Sequence, residues 1–201
     1  MFKSLLSAVI LTASLWSTGA LAALDIYITE GLAGARPIAI VPFKNLGQYQ
    51  PPFPIEKVVA DDLRRSGKFR PLEIAEMPQQ PYLAEQINYS LWAAKGVEAV
   101  AIGTIHSGDG NNFTITYTLV DVLQSGGKSQ VIDGQLTETK TQFLAEGTRV
   151  VSLKQLRQYS HLISDRIYER LTGERGAFLT RIAYVLVNHG KANAFQLMVA
   201  D

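Results

Sequence analysis

Side chains that could carry out chemistry are few in this chain of 201 residues, and they are far apart in the sequence. There are three histidines, His106, His161 and His189, and there is no cysteine. A zinc site usually needs four ligands that converge, whereas these histidines fall on three different predicted elements. His161 and Asp165 are four residues apart on a predicted helix, a spacing that would bind a metal only weakly and is more typical of a solvated surface pair. The sequence therefore predicts neither a metal site nor a cofactor.

The loop at residues 107–112, with the sequence SGDGNN, contains the glycines and the acidic residue of a phosphate or calcium loop. It lacks the lysine of a P-loop and the distant glutamate of an EF-hand. Glycine and asparagine adopt positive φ angles readily, so the same residues are typical of a tight hairpin turn. We therefore predict a turn here. No set of nucleophile, base and orienting group indicates an enzyme.

The charge composition gives no sign of a polyanionic partner. Lysine and arginine number 19, aspartate and glutamate number 18, and the formal net charge is +1. The basic residues of a long helix predicted at residues 153–171 are dispersed around it. Nucleic acid or an anionic membrane surface is bound by concentrated positive charge. Neither is expected as a partner.

The amino terminus is predicted to be a signal peptide. Lys3 gives it a positive start, and the apolar run that follows is too short to span a bilayer. Small residues at Ala20 and Ala22 then predict cleavage before Ala23. Without a cysteine the chain lacks the residue to which a bacterial lipoprotein attaches its lipid. The exported protein is therefore expected to have no membrane anchor.

Hydrophobic periodicity predicts strands and a helix in the next part of the chain. Residues 24–28 alternate with period 2, as in a half-buried strand, and residues 38–41 are continuously apolar, as in a central strand. A helix from Ile55 to a left-handed stop at Gly67 is predicted next. Its apolar face consists of Ile55, Val58, Val59 and Leu63. On its other face, the spacing of Asp61 and Arg65 predicts a weak ion pair.

The second half of the chain is predicted to combine an antiparallel meander with the longest helix. Its predicted elements are a short helix between Asn88 and Gly96, strands at 99–105, 113–122, 131–139 and 143–151 with a turn at Gly126 and Gly127, a helix at 153–171 capped by Ser152 and closed by Gly173, and strands at 181–187 and 195–199. The predicted fold class is α/β, with two principal helices packed on a mixed sheet.

Five stretches of this sequence closely resemble the amino-terminal part of the TolB family, the periplasmic propeller proteins of the Tol-Pal system. They are RPIAIVPF at 36–43, DDLRRSGKF at 61–69, LTG at 171–173, GAF at 176–178 and TRIAYV at 180–185. The resemblance implies a signal peptide at 1–22, an α/β domain at 23–176 and the first strands of a β-propeller at 177–201. Two strands make half of a four-stranded blade, and blades form rings. We therefore expect the chain to be a truncated form of a longer protein.

The resemblance also implies a partner-binding segment at the start of the exported chain. In the family the extreme amino terminus engages the inner-membrane protein TolA, and its docking on the protein's own body changes when the lipoprotein Pal binds the propeller. The matching residues here are Ala23, Leu24, Asp25, Ile26, Tyr27, Ile28, Thr29, Glu30 and Gly31. The implied role is that of a monomeric, non-enzymatic periplasmic adaptor that serves outer-membrane integrity and the drawing-in of that membrane during cell division.

A second interpretation, by resemblance to another class, is a CsgG-like component of envelope assembly or secretion. Such proteins also carry an apolar strand like residues 38–42 followed by an amphipathic helix. Several of them are lipoproteins, and the lack of cysteine disfavours that class here. The propeller-like strands from Arg181 disfavour it as well.

Overall fold

A computed structural model describes residues 34–125, 130–132, 135–137, 142–190 and 194–200 of the protein. Three predicted features lie outside these ranges. They are the signal peptide with its cleavage site, the segment 23–31 with its strand, and the two glycines of the turn at 126–127.

Strands make up much of the described chain, and six of them form one mixed sheet. The strands are β1 (Arg36–Ile40), β2 (Lys44–Asn45), β3 (Phe69–Pro71), β4 (Ala99–His106), β5 (Asn112–Asp121), β6 (Gln130–Ile132), β7 (Gln135–Thr137), β8 (Phe143–Ser152), β9 (Ile182–Val187) and β10 (Phe195–Ala200). The sheet has the order β3-β1-β4-β5-β8, and β2 pairs with the end of β4. β1 is parallel to both β3 and β4, and β2 is parallel to β4. β5 is antiparallel to both of its neighbours, β4 and β8. The predicted mixed sheet is confirmed.

Two long helices cover one face of this sheet, and smaller elements cover the other. The helices are α1 (Ile55–Arg65), α2 (Tyr89–Ala94), α3 (Val122–Ser125) and α4 (Leu156–Thr172), and short 3-10 turns lie at Ile74–Glu76, Ala84–Gln86 and Leu153–Gln155. α1 and α4 pack against each other and are the two principal helices that were predicted.

Strand β1 shows how the core is divided between the two faces. Ile38 and Ile40 belong to the larger cluster, with the apolar residues of α1 and α4. Ala39 and the adjacent Val41 belong to a second cluster around Trp92 of α2. Successive side chains of a strand point to opposite faces, so a continuous apolar run is needed where both faces are covered. This confirms the central strand predicted from residues 38–41, although β1 ends at Ile40.

The two long helices end as the sequence predicts, but α4 begins later. Gly67 has a φ of +71° and Gly173 a φ of +77°, the left-handed conformation that stops a helix. Residues 153–155 form a 3-10 turn, so the regular helix starts at Leu156 instead of 153. Ser152 precedes the 3-10 turn, and its amide N–H donates to Gln155 Oε1 at 3.4 Å. The first turn is tightened because this side chain satisfies the amide at its start.

The strand predicted at residues 131–139 is wrong as a single element. The described residues there form β6 and β7, which pair with each other outside the main sheet. The meander therefore runs from β4 through β5 directly to β8, with Asn112 opposite Ser152. The chain leaves β5 at a short helix, because Asp121 Oδ1 accepts the amide N–H of Gln124 at 2.9 Å and caps α3.

A smaller prediction, the ion pair of Asp61 with Arg65, is also wrong. Asp61 does not pair with Arg65, because it bonds Lys57 at 2.9 Å and Arg64 at 3.0 Å, while Arg65 pairs with Asp62. Asn88 does precede α2, but its side-chain oxygen accepts from Ser90 Oγ at 2.7 Å. Sequence spacing gave the positions of these residues on their helices but not their partners.

Candidate interaction sites

A polar cluster is buried between α1 and α4, where the sequence predicted only solvated side chains. Asp62 is 1% exposed and His161 is 3% exposed. Asp62 Oδ2 lies 2.7 Å from His161 Nδ1 and accepts a hydrogen bond from Ser164 Oγ, also at 2.7 Å. The other carboxylate oxygen accepts from Arg65. The prediction that His161 forms a solvated pair with Asp165 is therefore wrong, because its partner is 99 residues away on α1.

The residue types of this cluster are those of a catalytic triad, but the geometry is not. Ser164 and His161 both bond the same oxygen of Asp62, so the histidine does not bond the serine it would have to activate. Nε2 of His161 is buried and has no hydrogen-bond partner among the described residues. A buried carboxylate with three donors holds two helices together. The arrangement is that of a helix–helix contact.

Sequence periodicity could have located Asp62. It is seven residues after Ile55, four after Val58 and three after Val59, which places it on the buried face of α1. A charged residue on an apolar stripe needs a partner in the core. The identity of that partner depends on how α4 packs against α1, which local spacing does not contain.

The other candidate ligands remain apart. His106 ends β4 and His189 follows β9, and the described ranges hold no group of three or more histidine, cysteine or acidic residues that could bind a metal ion. In the loop at 107–112, the Asp109 carboxylate accepts the amide N–H groups of Asn111 and Asn112 at 2.9 and 2.8 Å. Hydrogen bonds from the backbone and side chain of Asn112 lower the pKa of Asp109. The loop is the predicted turn.

The segment 23–31 is not described, but the point at which the chain enters the sheet is. The backbone N–H of Arg36 donates to Lys68 O at 2.9 Å. Its side chain donates from Nε to Glu98 Oε2 at 2.6 Å and from Nη1 to the carbonyl of Leu171 at 2.9 Å. The guanidinium carbon also lies 5.7 Å from the centroid of the Phe69 ring. The start of β1 is thus anchored beside the end of α4.

The last strand of the sheet, β8, presents an open edge in the described structure, because its pairing there is with β5 alone. A groove of about 190 Å³ runs between this strand and α4. It is lined by Arg149, Val150, Val151, Gln155, Gln158, Tyr159, Leu162 and Leu179. The Arg149 guanidinium carbon lies 6.0 Å from the centroid of the Tyr159 ring. Burial raises the pKa of Tyr159, so its hydroxyl stays neutral.

The hairpin of β9 and β10 is the most apolar exposed surface that the structure describes. All twelve residues of the two strands are exposed, and Phe195 and Leu197 are 73% and 74% exposed. A two-stranded hairpin is marginal in water unless another element covers it. As for the membrane, no helix within the described ranges is both long and apolar enough to cross one.

Comparison with protein families gives one match that covers more than half of the chain. The family model described as the TolB amino-terminal domain matches residues 24–128. The match includes all elements from β1 to α3, and it begins within the segment 23–31.

Curated relatives support the same assignment. The Tol-Pal system protein TolB of Mannheimia succiniciproducens is 40% identical over 176 residues, covering 88% of this chain and 38% of the relative. The protein of the same name from Hamiltonella defensa is 39% identical over 200 residues, covering 100% of this chain and 42% of the relative. The chain therefore spans about two fifths of the length of these relatives.

Among solved structures, the crystal structure of TolB from Acinetobacter baumannii has a similar fold. The TM-score is 0.64 and the sequence identity 33%, over 83% of this chain and 36% of that chain. An identity of this size over most of the chain indicates common descent.

Proposed function

Since the chain belongs to the TolB family, we propose that it acts as a non-enzymatic periplasmic adaptor of the Tol-Pal system that links the inner-membrane protein TolA to Pal at the outer membrane. The match of the family model from residue 24 to residue 128 is the observation that carries this proposal. The role would be the maintenance of the outer membrane and its drawing-in during cell division. The CsgG-like alternative has no comparable support, because its strand-and-helix pattern is also a TolB pattern.

The chemistry of the described residues supports a role without catalysis. The one serine–histidine–aspartate group described above is buried, and its hydrogen bonds connect α1 to α4. A nucleophile must reach its base and its substrate, and Ser164 reaches neither. Binding surfaces, in contrast, are present at the open edge of β8 and on the exposed hairpin of β9 and β10.

The TolA-binding part is proposed to be the segment 23–31. It would be the first part of the exported chain after cleavage before Ala23. The period-2 alternation of Leu24, Ile26 and Ile28 fits a strand that adds to a partner's sheet, with backbone bonds giving affinity and one face of side chains giving specificity. Arg36, which follows the segment in the chain, is held by side-chain hydrogen bonds to Glu98 and to the carbonyl of Leu171. A segment that exchanges partners would therefore do so from a fixed point.

Residues 177–201 are proposed to begin the propeller through which Pal is bound in the whole protein. The apolar side chains of β9 and β10 are exposed on the described chain. The neighbouring strands of a complete blade and its ring would cover them.

Calorimetric titration of the periplasmic domain of TolA tests the adaptor proposal. TolA should bind the chain that starts at Ala23 and should not bind one that starts at Leu32, because backbone pairing and the apolar pockets are both lost. Ile26→Asp should weaken binding much more than Asp25→Lys, since it puts a charge on the face that becomes buried. Circular dichroism should show the same fold for all four proteins. Equal affinity of the two chain lengths would exclude the segment from the mechanism.

Export is tested by intact-mass measurement of the protein recovered from the periplasm. The expected mass is that of a chain beginning at Ala23. A product that still contains Met1, or that carries a lipid, would contradict the proposed cleavage between Ala22 and Ala23.

A further inference from the structure

Two buried tyrosines line the groove between β8 and α4, and their hydroxyl groups have no partner among the described residues. Tyr117 of β5 is 6% exposed and Tyr159 of α4 is 7% exposed. No hydrogen bond within the described part of the chain engages either hydroxyl. Buried hydroxyl groups are normally hydrogen-bonded. These two are therefore donors that are available to a ligand in the groove.

The groove continues along β8 beyond the part described above. A second cavity of about 160 Å³ shares Arg149, Tyr159 and Leu162 with the first and adds Tyr117, Gly147 and Arg166. Gly147 lies opposite Tyr117 in the register of β5 and β8, and a Cβ at residue 147 would be 2.7 Å from Cε1 of that tyrosine. Because glycine has no Cβ, the hydroxyl end of Tyr117 can lie over β8, the edge strand.

Each of the two tyrosines is accompanied by an arginine. The Arg149 guanidinium carbon lies 6.0 Å from the centroid of the Tyr159 ring, and the charge of Arg166 acts on Tyr117. Burial raises the pKa of both hydroxyls and the arginines only partly oppose the rise, so both hydroxyls are neutral donors at pH 7. Within the described ranges, the one carboxylate bonded to either arginine is that of Glu169, at 3.3 Å from Arg166 in an exposed and therefore weak pair. Two cations and two neutral donors in one groove favour an anionic ligand.

The spacing of these donors matches a strand paired with β8. Gly147 and Arg149 both line the groove and are two residues apart, a distance of about 7 Å along a strand. Tyr117 lies opposite the first of them, and Tyr159 contacts the second. A peptide strand added to the open edge would direct every second side chain to the same face of the sheet. Acidic side chains at two such positions would each meet one arginine and one tyrosine.

We propose that the open edge of β8 binds an extended acidic peptide, which adds its backbone to the sheet and places two carboxylates, two residues apart, in the groove between β8 and α4. Arg149 and Tyr159 bind one carboxylate, and Arg166 and Tyr117 bind the other. A small anion would use the same side chains but would leave the backbone groups of the edge strand unpaired. This site goes beyond the proposed adaptor function and does not rest on it, because it requires neither the segment 23–31 nor the propeller.

Fluorescence anisotropy of a labelled peptide titrated with the full chain tests the chemistry of the ligand. The peptide consists of threonine and valine, which favour an extended backbone, with two glutamates separated by one residue. It should bind saturably, and replacement of both glutamates by glutamine should weaken binding about tenfold or more. N-methylation of the amides that would pair with β8 should abolish binding. Binding that survives N-methylation, or for which free glutarate competes at equal concentration, would overturn the proposal.

Matched variants of the protein locate the site. Arg166→Gln should weaken binding of the glutamate peptide about tenfold, and Tyr117→Phe about threefold, because each loses a hydrogen bond to a carboxylate. Arg70→Gln is the charge-matched control, since Arg70 is exposed on β3 at the opposite edge of the sheet. Tyr184→Phe removes a hydroxyl from the exposed hairpin and should also have no effect. Equal losses in Arg166→Gln and Arg70→Gln would show unspecific charge attraction and would exclude the groove.

Two other occupants of the edge would each contradict the proposal. If sedimentation velocity shows a dimer of the full chain that excludes the peptide, the edge binds a second copy of the chain. If the peptide binds only a chain that starts at Leu32, the segment 23–31 occupies the edge instead. The expected result is a chain that binds the peptide with the same affinity at both lengths.

Titration with the periplasmic domain of TolA separates this site from the proposed function. TolA should bind the wild type and Arg166→Gln equally, because the segment 23–31 is intact in both. If TolA does not bind the wild type, the adaptor proposal fails, while the peptide titration still decides whether the groove is a binding site.

Discussion

The six-stranded sheet and the hairpin of β9 and β10 are built from similar sequences but have opposite surroundings. Leu119 in β5 is fully buried, whereas Leu197 in β10 is 74% exposed. β5 pairs with β4 in regular antiparallel register, and β10 pairs with β9 in the same way. The difference lies in what covers them, since α1 and α4 pack on the sheet and no described element packs on the hairpin. An apolar sequence pattern therefore predicts that a strand forms, whereas the burial of its side chains depends on the elements that pack against it.

The largest loss of stability is expected when the Asp62 carboxylate, which accepts hydrogen bonds from both α1 and α4, is removed. Asp62→Ala leaves His161, Ser164 and Arg65 without their partner, and breaking a buried charged group of this kind costs about 3–5 kcal/mol. Asp61→Ala removes an exposed neighbour whose ion pairs are worth at most about 1 kcal/mol. Urea unfolding of both variants measures the difference. Similar losses in the two would show that the buried cluster does not hold α1 to α4.

The comparison between the sheet and the hairpin is tested by replacing one leucine with alanine in each of them. Leu119→Ala should lower the free energy of unfolding by about 2–5 kcal/mol, because it opens a cavity in the core. Leu197→Ala should change it by less than about 0.5 kcal/mol, as expected of an exposed position. Chemical denaturation followed by circular dichroism gives both values. A large loss at Leu197 would mean that the hairpin is packed against the domain in solution.

A smaller effect is expected at the end of α1. Gly67→Val should cost about 1–2 kcal/mol, because a β-branched residue is strained at a φ of +71°. The space around the added side chain is open, so the cost comes from the backbone alone. Gly108→Val, also in open space but without a left-handed φ, should have little effect. A thermal melt of Gly67→Val that matches wild type would place the helix stop elsewhere.

The smallest effect depends on pH and concerns Glu56 in the first turn of α1. Burial raises the pKa of Glu56, although backbone hydrogen bonds from Glu56 and Phe43 partly oppose the rise. A carboxyl whose pKa is raised on folding contributes stability below its unfolded pKa and loses it as pH rises through the folded pKa. Glu56→Gln should therefore raise the melting temperature at pH 7, and the gain should shrink as pH falls below the ordinary range of a glutamate. A gain that is the same at pH 3 and pH 7 would contradict this assignment.

The features that the sequence predicted well depend on local periodicity or on one backbone angle. Residues 38–41, the apolar face of α1 and the stops at Gly67 and Gly173 are of this kind. The features it missed depend on contacts between distant residues. His161 bonds Asp62 across 99 positions, and the described residues within 131–139 form two short strands that pair with each other and not with the main sheet. A strand-forming sequence indicates an extended backbone without indicating its partner.

The same distinction between local patterns and contacts of distant residues applies to the candidate site. A family resemblance identified the segment 23–31 and its partner, and these stay predictions because the segment lies outside the described residues. The ring contacts of Arg36, Phe69, Tyr168 and Phe178 were not predicted. These residues come from β1, β3, α4 and the connection after α4, which meet only in the folded domain. One signal was available in the sequence, because Gly176 and Phe178 belong to a stretch that resembles the family.

The central position of β1 has a consequence for the order in which the chain can fold. Ribosomes make proteins from the amino terminus, so β1 is synthesised before the other strands of its sheet that the structure describes. Its parallel partners are Phe69–Pro71 on one side and Ala99–Ala101 on the other, and the second of these is made roughly 60 residues later. Contacts between residues so far apart in sequence form slowly, and apolar strands that wait for partners are prone to aggregate. Residues 38–40 can therefore be paired on both sides only after β4 has been made.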